Sequence, residues 1–80
     1  MNPDTWAVLS ALPSAGGKPI DAVQIAKLSQ RPSWIVSNAL TVLSVVFPGH
    51  IEAIHPQARL KGVATYRRTA LADRLFREAA

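Results

Sequence analysis

Apolar side chains recur at three- and four-residue intervals in four stretches of this chain, and most of its prolines and glycines fall between them. That spacing lines one face of a helix. The first stretch opens on Asn2, a residue type that caps helices, with Pro3 at the first helical position and Asp4 in the first turn. Trp6, Leu9 and Leu12 follow at helical spacing, so a helix is predicted over residues 3–12, with Trp6 in the core. Pro13, Ala15, Gly16, Gly17, Lys18 and Pro19 then read as a short linker.

Asp21 is placed to cap a second helix, with Gln24 at the reciprocal capping position and Ile20 before the cap. That helix covers residues 22–29, with Val23, Ile25, Ala26 and Leu28 as its apolar side. The tetrapeptide Ser29-Gln30-Arg31-Pro32 interrupts the pattern, and the most strongly periodic segment follows, to about residue 47. Val36, Leu40, Leu43 and Phe47 line one side of it; Ser33, Ser37, Thr41 and Ser44 line another.

Beyond Pro48 and Gly49 the pattern changes. Residues 50–55 and 63–69 are short, partly β-branched runs separated by Pro56-Gln57-Ala58-Arg59-Leu60-Lys61-Gly62, as in a two-stranded hairpin with a long basic tip. Thr69 then caps a closing helix, in which Asp73 lies early and Arg74 and Arg77 late, as the helix dipole favours. Leu71, Leu75, Phe76 and Ala79 give it an apolar face.

Membrane and export signals fit poorly. Residues 32–51 carry no Asp, Glu, Lys or Arg and are long enough on paper to span a bilayer. The hydroxyl stripe and the closing Pro48, Gly49 and His50 instead favour a buried amphipathic helix. Before Lys18 there is no basic residue and there is one acid, Asp4, the reverse of a signal peptide.

Eighty residues suffice for one small domain, expected over the whole of 1–80, and the absence of cysteine leaves neither a disulfide framework nor a thiolate site. A cytoplasmic location is the simplest expectation. The net charge of +4 is unevenly distributed: residues 1–40 hold three basic and two acidic groups, residues 41–80 six and three. Arg59, Lys61, Arg67 and Arg68 lie within ten residues that contain no acid.

Three helices, the second and third joined by a tight turn, then a hairpin and a closing helix, is an α+β, mainly α, order that resembles a winged helix-turn-helix domain. The run from Ile20 to Ser29 looks like the positioning helix of that family, and Val36-Ser37-Asn38-Ala39-Leu40-Thr41-Val42-Leu43 resembles its recognition helix. Gly49-His50-Ile51 matches the entry into the wing, and Tyr66-Arg67-Arg68-Thr69 the return strand of bacterial transcription regulators. The likeness covers residues 4–78. It implies a three-helix helix-turn-helix core, a two-stranded β-hairpin wing and a C-terminal helix. The implied partner is double-stranded DNA, with the third helix in the major groove and the wing on the backbone or minor groove.

Candidate contacts on the third helix are Arg31, Ser33, Trp34, Ser37, Asn38 and Thr41. Small hydroxyls reach phosphates, Asn pairs bidentately with adenine, and a Thr methyl meets a thymine methyl. Trp34 has a second reading as a core ring, and Asn38 as a solvated amide. On the hairpin the candidates are Arg59, Lys61, Arg67 and Arg68. Successive strand residues face opposite ways, so Arg67 and Arg68 are not both expected to turn inward. Lys18 and Lys27 are candidate backbone contacts.

Enzyme chemistry finds no constellation. His50 and His55 have opposite strand parity and no carboxylate cluster beside them, and Ser14-Ala15-Gly16-Gly17-Lys18 lacks the first glycine and the Ser/Thr of a phosphate loop. No cofactor is implied. The alternative is a protein-interaction module, because the third helix carries no Lys or Arg after Arg31 and is rich in apolar residues. A homodimer through Leu71, Leu75 and Phe76 suits either reading.

Overall fold

A computed structural model describes residues 1–56 and 62–79. Helix α1 (Pro3–Ala11) starts where the Asn2 side chain accepts a hydrogen bond from the Thr5 N–H at 2.8 Å, and it ends on extended backbone at Leu12, just before Pro13. A turn follows in which the Gly17 N–H donates to the Ser14 carbonyl at 2.9 Å, with Gly16 at φ +81°. Only glycine adopts that angle without strain.

Strand β1 (Ile20–Asp21) leads directly into α2 (Ala22–Ser29) through a complete capping box: the Gln24 N–H donates to Asp21 at 2.9 Å, and the Asp21 N–H to the Gln24 side chain at 3.2 Å. After a three-residue turn come α3 (Ser33–Val46), β2 (Ile51–Ile54), β3 (Thr65–Arg68) and α4 (Ala70–Ala79). The Thr69 hydroxyl accepts from the Ala72 N–H at 3.3 Å, which caps α4 as expected.

The described residues thus form four helices and a three-stranded antiparallel sheet of order β1-β3-β2. The two-stranded expectation is corrected: Ile20 and Asp21 pair with Tyr66 and Thr65, while Ile51 to Ile54 pair with Arg68 to Thr65. Two residues are too few for alternation to show, and their pairing depends on a partner more than forty positions away. The connections at the far end are also tied down. The Arg68 N–H donates to the Pro13 carbonyl at 2.8 Å, and the Thr69 hydroxyl to the Gly49 carbonyl at 2.6 Å.

Val8, Leu9, Leu12, Ile25, Val36, Ala39, Leu40, Leu43, Ile51 and Ala72 make the core. On α2 only Ile25 of the four expected apolar residues is fully buried; Val23 and Leu28 are each 64% exposed, and Ser29 takes an inward place. On α4 the buried residue is Ala72, whereas Leu71 is 47% exposed. Trp6 is half-buried rather than central, and its ring stacks on Phe76 with centroids 4.7 Å apart, so α4 folds back on α1. Among the described residues no helix is long and apolar enough to cross a membrane; α3 ends at Val46 and a turn follows.

Candidate functional site

The geometry of α2, the turn and α3 follows from local chemistry. Gln30 adopts the left-handed conformation (φ 56°, ψ 41°) that ends α2, and the Arg31 N–H donates back to the Ala26 carbonyl at 3.2 Å. Pro32 then starts α3, its carbonyl accepting from Ile35 at 3.0 Å and Val36 at 3.1 Å. The Arg31 side chain fastens this turn to α1: its Nε donates to Asp4 at 2.9 Å and its Nη1 to the Ser29 carbonyl at 3.2 Å. A guanidinium held this way braces the turn before it reaches anything outside.

Because Val36, Ala39, Leu40 and Leu43 point into the core, a rotation of about 100° per residue puts Trp34, Asn38, Thr41 and Val45 on the opposite side. Burial agrees: Trp34 is 65% and Val45 73% exposed. Trp34 is therefore a surface ring, which overturns the core reading. The hydroxyl stripe is not the centre of the outward face either. Ser33, Ser37 and Ser44 form its flank and, with Thr41 at the edge of the outward face, line a shallow groove with Ala22, Leu40 and Tyr66. On the other flank Trp34, Asn38 and Val42 border a second groove against Asn2, Asp4 and Thr5 of the α1 start.

Hydrogen bonding sorts these polar side chains further. The Thr41 hydroxyl donates to the Ser37 carbonyl at 3.0 Å and the Ser44 hydroxyl to the Leu40 carbonyl at 2.8 Å. Their protons are committed to the helix. Ser33, Ser37 and Asn38 make no side-chain hydrogen bond among the described residues, so their donors and acceptors face outward unsatisfied by protein.

The β2–β3 pair corrects the charge picture most. Arg67 lies directly opposite Glu52 and clasps it with Nε at 2.7 Å and Nη2 at 3.2 Å, while its Nη1 donates to the Gly17 carbonyl at 3.0 Å. The hydrogen bond from Arg67 holds the Glu52 carboxyl below its ordinary pKa, and Glu52 in turn raises that of Arg67. Arg68 faces the other way and also turns inward. Its Nε donates to Asp73 at 2.9 Å, its Nη1 reaches the carbonyls of Leu9 and Ser10, its Nη2 donates to Ser14 at 3.2 Å, and the group lies 4.5 Å over the Phe76 ring. Opposite parity did not leave one arginine outside, because each face of the sheet offers its own carboxylate.

Lys18 and Lys27 are exposed and, among the described residues, belong to no ion pair. Arg59 and Lys61 lie outside the described residues. Of the proposed dimer residues, Phe76 is engaged by Trp6 and Arg68, Leu75 is half-buried and Leu71 is open. His50 sits edge-on to Phe47 with centroids 5.5 Å apart, its Nδ1 buried without a partner among the described residues, and His55 is exposed. Among the described residues no three His, Asp or Glu side chains gather as a metal site.

The sequence matches no protein-family model and no curated protein. The arrangement therefore stands on its own geometry: a braced helix pair, an outward α3 face with open Ser37 and Asn38, and neutralised arginines on the neighbouring strand.

Proposed function

We propose that this protein binds double-stranded DNA as a winged helix-turn-helix domain, with α3 in the major groove. The observation that carries it is the α2–turn–α3 unit, whose second helix keeps Asn38 unbonded on its outward face and Ser33 and Ser37 unbonded on its flank, and whose turn is fastened to α1 by the Arg31–Asp4 bond. A helix offered to base edges needs such open donors and acceptors. The order of helices and strands, and a sheet with β3 at its centre, support the same reading.

Arg67 and Arg68 are reassigned from contact to structure. Phosphate neutralisation then rests on Lys18 and Lys27, together with the charges of Arg59 and Lys61 in the β2–β3 connection. About four phosphate contacts correspond to a slope of log K against log salt near −4, or a loss on the order of a hundredfold between 50 and 200 mM salt. A titration against random duplex checks this, with Arg59→Ala/Lys61→Ala lowering the slope magnitude by about two. An unchanged slope in the double variant removes the wing from the interface.

A second reading draws on the apolar character of the same face, where Trp34 and Val45 stand in solvent and no cation interrupts α3. Such a surface docks proteins. It predicts a partner complex insensitive to salt and abolished by Trp34→Ala, with duplex binding absent.

A further inference from the structure

We infer that α3 selects A·T base pairs through adenine amides and thymine methyls, and does not read guanine; the inference rests on the DNA-binding reading above. In the major groove guanine presents two acceptors, O6 and N7, which are met by arginine or lysine. Neither residue occurs in Ser33–Val46. Arg31, the nearest cation in sequence, has its Nε on Asp4 and its Nη1 on the Ser29 carbonyl. Cytosine presents an N4 donor, met by a carboxylate, and α3 has none; Asp4 at the groove edge is held by Arg31. Both partners of a G·C pair thus lack their usual reader.

What the outward face does carry matches the other pair. The Asn38 amide, exposed and without a partner among the described residues, offers the donor and acceptor that adenine N7 and N6 require. Apolar groups stand along the same face to either side, Trp34 and Thr41 one turn away and Val45 two turns away. Trp34 is an exposed ring, Val45 an exposed branched side chain, and Thr41, with its hydroxyl proton on the Ser37 carbonyl, is left with its methyl group and acceptor capacity. The thymine C5-methyl is the apolar feature of the unmodified major groove. From Trp34 to Val45 the helix rises about 16 Å, roughly five base-pair steps at 3.4 Å each, so the face spans a short A·T run.

The test is enrichment of bound sequences from a randomised duplex library by the full chain, followed by replacement of thymine by uracil in the enriched duplex. Uracil removes the C5-methyl alone. The expected results are an A·T core, a loss of about threefold or more on uracil replacement, and about tenfold or more lost discrimination at one adenine in Asn38→Ala. Asn38 is exposed, so circular dichroism of the variant should match the parent. Enrichment of G·C, or binding without any sequence enrichment, overturns the A·T inference and leaves DNA binding standing. Failure to bind any duplex at 50 mM salt overturns both.

Discussion

Arg68 Nε lies 2.9 Å from Asp73 Oδ1, and the other oxygen of that carboxylate accepts the Ala15 N–H at 2.9 Å. One ion pair therefore joins the end of β3, the first turn of α4 and the loop after α1. The Arg68 side chain is only 15% exposed. A residue that reads in sequence as a candidate DNA contact on the return strand is instead a fastener among three elements.

Arg68→Ala should accordingly destabilise the fold by about 2–3 kcal/mol, since it strips hydrogen bonds from Asp73 and from the α1 carbonyls at once. Urea unfolding measures this. A variant of unchanged stability that binds duplex more weakly would return Arg68 to the interface.

Acid sensitivity follows from the same carboxylate. The Ala15 N–H, and after it Arg68, lower the Asp73 pKa below its ordinary value near 3.8, against the opposing effect of burial. A depressed acid contributes stability that is complete above the unfolded-state pKa and is lost as pH falls through the folded-state value. Thermal midpoints should hold from neutral pH to about pH 5 and drop below about pH 4. In Asp73→Asn the midpoint should be lower at neutral pH and the acid drop shallower; an equal acid slope in both proteins excludes this role.

Gln30 holds a left-handed backbone angle that glycine adopts without strain. Gln30→Gly should raise stability by about 0.5–1 kcal/mol, the relief of strain exceeding the added freedom of the unfolded chain. A lower unfolding midpoint would indicate that the Gln30 side chain contributes contacts of its own.

The two tryptophans should separate cleanly. Trp34→Ala, at an exposed site, should change stability by less than about 0.5 kcal/mol, whereas Trp6→Ala, which removes the partner of Phe76, should cost about 2–3 kcal/mol. Comparable losses from both would place Trp34 in the packing.

Features that depend on neighbours in the chain were legible in sequence. The caps at Asn2, Asp21 with Gln24, and Thr69 each involve residues three apart, and each forms as expected. The inward row of Val36, Leu40 and Leu43 follows from helical spacing. Contacts across the fold were not legible. Arg68 meets carbonyls more than fifty residues earlier, Arg67 meets a carbonyl fifty residues earlier, and β1 finds its partner beyond α3. No local pattern marks such pairings, so the charges of β3 read as surplus until the fold brought Glu52 and Asp73 beside them. The outward face of α3 is largely legible: Asn38, Thr41 and Trp34 lie on it, and of the two readings that spacing leaves open for Trp34 the surface one holds, although a large ring in a small protein usually finds the core.

Duplex contact by α3 is tested most directly by the fluorescence of Trp34 in a Trp6→Phe protein, which leaves it as the sole tryptophan of the chain. Titration with A·T-rich duplex at 50 mM salt should shift or quench that emission in step with the anisotropy of labelled DNA, and 200 mM salt should reverse both. Anisotropy that rises while Trp34 emission stays fixed would contradict the placement of α3 against DNA, and no rise in anisotropy would contradict DNA binding itself.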